Sequence, residues 1–430
     1  MHRAHEGKVT VARGLSTCGK QANFQSGPPS ARLRCNASSH TPHGHGFASE
    51  SLVISLPSMD QDVTALSPVV AGIWIGCFCR KLYTVPDAHN GRSLAIDVLK
   101  CFGLSVIAEG SQMGVPGQCS TVAVIGNGII GHGVAQVFGM AGIGVVMIGR
   151  GEASLSAARE KIRASLGDFA SHGLIQDGDR EAMLGRIRTS TQIEDASGAD
   201  LVIEAVTEDL PLKRNIFGRL DRLCAPPAIL ASSSGQPASA LIDAVSHRER
   251  VVATHFWYPP QLIPLVEVCG GPETAREVIA WTCSTLRDVG KQPAVIDREI
   301  AGFIGNRLQF AMLREAWSLW ARGIASAEAI DTVVRSSFGR RLGITGPIES
   351  ADVGGLATMY HFAKSLLPDL ETASEPPRAV AQLVADGANG LANGRGIHDW
   401  PQRDGKALVA ARMAELFRWL KRDREGTQNQ

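Results

Sequence analysis

The segment Thr121-Val-Ala-Val-Ile-Gly126-Asn-Gly128-Ile-Ile-Gly131-His-Gly133 constrains the fold more than any other part of the chain. An apolar run rich in β-branched residues reads as a buried strand and a G-x-G-x-x-G pattern closes it. Val134-Ala-Gln-Val-Phe-Gly-Met-Ala then continues as a helix. In that order the motif is a turn on which a dinucleotide rests. Gly126 permits the tight turn, Gly128 lets backbone N–H groups approach a pyrophosphate, and Gly131 lets helix and strand pack closely. Asn127, Ile129 and Ile130 complete the turn, and the anion lies on the positive end of the helix. The plain alternative is an ordinary strand-to-helix turn.

Downstream, strand and helix patterns alternate. Val145–Ile148 reads as a strand, Ala153 to Ala170 as an amphipathic helix and Glu181–Arg186 as a short return helix. The strands Leu201–Val206, Ala228–Ala231 and Val251–His255 follow, with a helix over Leu212–Leu223. Strands spaced by helices imply βαβ units, hence a Rossmann-type doubly wound parallel sheet. From about residue 300 only helical patterns remain, over Phe303–Arg322, Ala327–Val334 and Ala407–Arg422. The expected organisation is a poorly ordered extension over residues 1–117, a dinucleotide-binding domain over 118–299 and an all-helical domain over 300–430.

A chain of 430 residues has room for these units and a sizeable core. Its 44% hydrophobic and 20% charged content is that of a globular protein, and a net charge of +1 argues against nucleic-acid or polybasic membrane binding. No apolar run is long enough to span a bilayer, and the first residues show no secretory signal. Residues 1–117 carry Pro-, Gly- and His-rich stretches with little periodicity, apart from one candidate helix from Ser93 to Phe102. Met113 reads as an alternative start. The nine cysteines are irregularly spaced, so unpaired thiols in a reducing, cytoplasmic setting are expected. Cys77-x-Cys79 and His43-Gly-His45 lack a second pair at zinc spacing, and no metal site is expected.

Oxidation of an alcohol needs a base for the proton as hydride leaves, and a neutral imidazole suits that task. His255 ends a strand at the carboxyl edge of the sheet, where such folds bind ligands. Glu267 lies twelve positions later in a strand-like segment, and a carboxylate on one ring nitrogen would fix the tautomer. A histidine at a strand end is also commonly no more than a satisfied polar residue.

Six ordered blocks carry a more specific signal: Leu201–Lys213, Ala231-Ser-Ser-Ser234-Gly, His255-Phe-Trp-Tyr-Pro259, Leu265-Val-Glu267-Val, Gly302-Phe-Ile-Gly-Asn306-Arg-Leu and Gly346-Pro-Ile-Glu-Ser-Ala-Asp. Together they resemble the L-3-hydroxyacyl-CoA dehydrogenase family from about Ser120 to Trp400, and most closely its lambda-crystallin and L-gulonate 3-dehydrogenase branch. The resemblance implies an NAD-dependent enzyme in which His255 is the general base and Glu267 its orienting carboxylate. Ser234 and Asn306 would hydrogen-bond the reacting oxygen, while Glu208 and Lys213 would contact the nicotinamide end of the cofactor. It also implies a homodimer and a small-molecule substrate, either a 3-hydroxyacyl-CoA or a free 3-hydroxy acid such as L-gulonate. A crystallin-like cofactor-binding protein with little catalysis is a third reading. Taken singly, Asn306 could pin a first helical turn, Ser234 could serve its loop, and Glu208 and Lys213 could be a solvated helix start.

Three departures from the family pattern stand out. Gly149-Arg150 replaces the acid that ends the second strand in NAD-using relatives, which makes NADP possible beside NAD. Tyr258 takes the place of an asparagine in the histidine block, and Ala392 and His398 replace a lysine and an aromatic residue. On the helix after the second strand, Lys161, Arg163 and Ser165 would suit CoA phosphates or form a solvated face.

Overall fold

The computed structural model describes residues 114–427 and, before them, five short strands. Residues 1–110 and 111–430 form two separate units. In the first, Phe24–Gln25, Arg32–Asn36 and Ser51–Ser55 form an antiparallel sheet, and Thr84–Pro86 pairs with Ser93–Ala95. Ser93–Ala95 is thus a strand rather than the start of the expected helix. The rest of the extension, with His43, His45, Cys77 and Cys79, lies outside the described residues.

The second unit is built on eight strands: β1 Thr121–Ile125, β2 Gly144–Ile148, β3 Ile187–Ser190, β4 Leu201–Glu204, β5 Ile229–Ser232, β6 Val251–Phe256, β7 Leu265–Gly270 and β8 Gln292–Ile296. Their order is β8-β7-β6-β5-β4-β1-β2-β3. Strands β1 to β6 are parallel, as the βαβ pattern predicts. The doubly wound sheet departs from parallel at one edge, where β7 runs antiparallel to β6 and carries β8 with it. The link from β6 to β7 contains no crossover helix, so the chain can only turn back.

Period-2 alternation distributes the strand residues between two cores. Val122, Val124, Val145 and Met147 pack with Val134 and Phe138 of α1 (Gly131–Met140) and with Leu155, Ile162 and Leu166 of α2 (Glu152–Ser171). Ala123, Ile125, Val146 and Ile148 face the opposite side, against Ile216, Phe217 and Leu220. The short α3 (Arg180–Gly185) precedes β3, and the three residues just named belong to α4 (Leu210–Leu223). Asp209 caps α4 by accepting from the Leu212 amide at 3.0 Å. Helix α5 (Arg276–Asp288) joins β7 to β8.

A helical region follows: α6 (Phe303–Ala321), α7 (Ala327–Ser336), α8 (Pro347–Val353), α9 (Leu356–Leu366), α10 (Arg378–Ala385) and α11 (Gly405–Thr427). Helix α11 returns to the sheet region, where Phe417 and Leu420 pack with Phe169 and Leu262, the two phenyl rings edge to face at 5.2 Å.

Candidate active site

The chain leaves β1 for β2 and β3 on one side and returns to β4 on the other, so a crevice opens between the carboxyl ends of β1 and β4. The glycine turn lies there. Gly126 has φ +110°, and a Cβ on it would stand 2.5 Å from the Ala205 carbonyl oxygen just after β4. A Cβ on Gly131 would stand 1.9 Å from the Gly126 oxygen, so only glycine lets α1 start this close to β1. Around Gly128 the space is open, Ile129 is exposed, and Ile130 is the residue that opens α1. A tight turn with an open face at the second glycine fits a bound pyrophosphate. Asn127 directs its side-chain oxygen towards Gly149 at the end of β2, beside exposed Arg150.

Across the sheet, His255 of β6 and Glu267 of β7 are direct register partners. Opposed residues of an antiparallel pair share a face, so the twelve-residue spacing places ring and carboxylate together. His255 Nδ1 is 2.8 Å from Glu267 Oε2. The Trp257 indole donates to the same oxygen at 3.2 Å, and the Ile304 and Gly305 amides donate to Oε1 at 2.9 Å each. Every acceptor direction of the carboxylate is thereby filled. Burial alone would raise the Glu267 pKa, but the Gly305 amide, the His255 ring and the Trp257 indole outweigh it and hold the group below the usual carboxylate range. An ionised carboxylate only accepts, so Nδ1 carries the proton and Nε2 of the neutral ring is the acceptor.

The same carboxylate closes the start of α6. Gly302, at φ +75°, precedes the helix without side-chain capping, and Phe303 follows at φ +48°, an uncommon value for a residue with a Cβ. Asn306 does not pin the first turn; Glu267 does, from a neighbouring strand. The Asn306 amide instead lies over the β5 loop, its Nδ2 3.7 Å from where a Cβ on Gly235 would be.

In that loop Ser234 is buried, and its hydroxyl donates to Glu208 at 2.8 Å while accepting from the Gln236 amide at 3.0 Å. Lys213 is enclosed, with Nζ 2.8 Å from Glu204 Oε1 and 3.9 Å from Glu208 Oε2. Glu204 is fully buried and also accepts from the Val206 amide and the Ser232 hydroxyl, at 2.7 Å each. Here the expectation needs adjusting. Lys213 is no solvated helix start, and its ammonium is held by Glu204 beneath the surface. A ligand in the crevice meets Glu208, which is half exposed, before it meets Lys213.

The structure therefore links Glu267 with His255, Ser234 with Glu208, and Asn306 with the loop next to Ser234. Trp257 was missed by the sequence reading. Two residues beyond His255 on an extended chain, it shares that residue's face, which was the available signal. Its ring also explains Gly305, where a Cβ would fall 2.3 Å from the indole. Tyr258 is exposed on the same loop. His398 lies between Glu328 and Asp331 of α7, 3.0 Å from each, so this departure from the family pattern is a local tether.

Residues 121–300 match the family model for 3-hydroxyacyl-CoA dehydrogenase, NAD binding domain, and residues 302–400 match that for the C-terminal domain. The chain is 32% identical to a probable 3-hydroxybutyryl-CoA dehydrogenase of Deinococcus radiodurans, over 64% of this chain and 99% of that protein. It is 31% identical to lambda-crystallin of Oryctolagus cuniculus, over 60% and 80% of the respective chains. Among solved structures it resembles 5-formyl-3-hydroxy-2-methylpyridine 4-carboxylic acid 5-dehydrogenase, described as an NAD+ dependent dismutase. That similarity has a TM-score of 0.65 at 30% identity and covers 71% of this chain and 99% of the other.

Proposed function

The chain belongs to the 3-hydroxyacyl-CoA dehydrogenase family of NAD-dependent oxidoreductases, and on that premise we propose that it oxidises the 3-hydroxyl carbon of a 3-hydroxyacyl-CoA to the 3-oxo thioester. NAD+, when bound, supplies the hydride acceptor. The observation that carries the reading is the His255–Glu267 pair, oriented with Nε2 as the acceptor. In this reading His255 takes the alcohol proton, and Glu267 holds Nδ1–H and balances the imidazolium that forms. Ser234 and Asn306 orient the reacting oxygen, the serine turning its hydroxyl from Glu208. Gly126 to Gly131 and Arg150 hold the dinucleotide, Glu208 meets its nicotinamide end, and Lys213 positions Glu208.

The free 3-hydroxy acid is the second reading, and one contact favours it. Arg163, a candidate phosphate ligand on α2, is already ion-paired with Glu160 and lies 3.6 Å from Glu181. NADH formation assayed on 3-hydroxybutyryl-CoA beside L-gulonate separates the two. His255→Ala should lower turnover on the true substrate by roughly a hundredfold to ten-thousandfold while NADH still binds. Rates equal to the parent's would remove His255 from the mechanism. Tight NADH binding without turnover on either substrate would select a crystallin-like binding protein, a reading to which exposed Tyr258 gives some support.

We further propose that two copies pair through the helical region. Ile304, Leu308 and Met312 form an exposed stripe at i, i+4 and i+8 of α6, and α9 exposes Leu356, Tyr360, Phe362 and Leu366. Four unpaired thiols among the described residues, Cys119, Cys224, Cys269 and Cys283, support a reducing, cytoplasmic setting. No helix among the described residues is long and apolar enough to cross a membrane.

A further inference from the structure

We propose that the cofactor cradle admits a phosphate on the adenosine 2′-oxygen, so that this chain binds NADP(H) alongside NAD(H). The inference rests on the dehydrogenase reading above and concerns the far end of the same crevice. In a doubly wound domain the second strand ends beside the adenosine ribose. A carboxylate there bonds the 2′-hydroxyl, and its charge repels a 2′-phosphate.

Three observations at the end of β2 bear on this. First, the carboxylate is absent and its space is taken. A Cβ on Gly149 would lie 2.7 Å from Asn127 Oδ1 and 2.9 Å from Leu155 Cδ2, so a neutral amide occupies the place into which an acid would project. An amide offers donors as well as an acceptor, and it carries no charge to oppose a phosphate.

Second, Arg150 is exposed and makes no ion pair among the described residues. Arg186 likewise has no ion pair, but other arginines of the region are engaged: Arg159 donates to the Ile187 carbonyl, and Arg163 pairs with Glu160, Arg180 with Asp177, Arg188 with Asp195 and Arg219 with Glu194. Arg150 thus keeps its planar fork free for a phosphate. Third, Gly151 precedes the twenty-residue α2, whose positive end faces the same point. One group opposes the phosphate: Glu152, the acid in the first turn of α2. Its charge tempers the preference for NADP(H) without acting on NAD(H), so the geometry points to acceptance of both dinucleotides.

The test is direct binding to the full chain. NADH and NADPH are titrated by fluorescence, and 5′-ADP and 2′,5′-ADP by calorimetry, for the parent and for Arg150→Ala. NADPH should bind within about tenfold of NADH in the parent, and Arg150→Ala should lower the NADPH-to-NADH affinity ratio by about tenfold or more. The ADP pair should follow the same ratio, which assigns the effect to the 2′-phosphate. An affinity ratio unmoved by Arg150→Ala would overturn the proposal, with NADH binding left to uphold the dehydrogenase reading. Binding of neither dinucleotide would overturn both.

Discussion

The sheet region, residues 121–296, and the helical region, residues 303–427, handle their apolar residues in different ways. In the first, alternate strand residues go to two faces, and both are covered, mostly by helices of the same region with Phe303 of α6 added on one side. In the second, α7, α8 and α9 bury no residue at all. Charges divide similarly. The sheet region encloses Lys213 with Glu204 and Arg250 with Asp221, each pair met by further hydrogen bonds. In the helical region ion pairs such as Arg418–Glu415 lie at the surface. The difference teaches that the sheet region is enclosed, with Phe303 of α6 and Phe417 and Leu420 of α11 closing its cores, whereas the helical region leaves apolar area uncovered, the face proposed above for a second copy.

The largest effect should come from unpairing a buried charge in the sheet region. Asp221→Ala leaves Arg250, which is fully buried, without its carboxylate and should lower unfolding stability by about 3–5 kcal/mol. A loss no larger than that of a surface pair, about 1 kcal/mol or less, would break the contrast between the two regions. Denaturant unfolding reads it. Next in size is Leu308→Glu, in the exposed stripe of α6. It should weaken self-association by about tenfold or more, measured by sedimentation, and leave the unfolding of the sheet region in place. An unchanged assembly would show that the helical face serves some other purpose.

A third effect, confined to alkaline pH, sharpens the comparison further. Lys291, before β8, is buried on the carbonyls of Pro260 and Ile263, and burial pushes its pKa down to about 8 from 10.5. Between those values the unfolded chain binds more protons than the folded one, so this group makes stability rise with pH above about 8. Burial raises the Cys224 and Cys269 thiols to about 11, and they act in the opposite sense above their ordinary value of 9.0. The difference between the parent and Lys291→Met therefore isolates the lysine. Parallel stability curves for the two proteins would count against a titrating Lys291.

Sequence pattern alone foretold the central strands and the long α6, which carry sustained apolar patterns, and the glycine turn, which its spacing gives away. Both edge strands escaped it. Ile187–Ser190 is buried only at its two ends, and Gln292–Ile296 contains Pro293 and is buried only at Ile296. Proline is tolerated where no neighbour needs its amide, so an edge strand need not look like a strand. Helix α5 and the short helices α8 to α10 were likewise missed. Of the site, His255 and Glu267 were readable as candidates, but their register was not: the short link from β6 to β7 dictates a reversal without fixing which residues stand opposite. The enclosure of Lys213 depends on Glu204, which in the sequence is only the polar last residue of an otherwise apolar strand.

Glu267 steadies the histidine with one oxygen and holds the first turn of α6 with the other. Orientation of the imidazole and closure of the long helix therefore meet in one carboxylate. The ring and the helix start thus draw on opposite oxygens of a single side chain, and a change at position 267 reaches both at once.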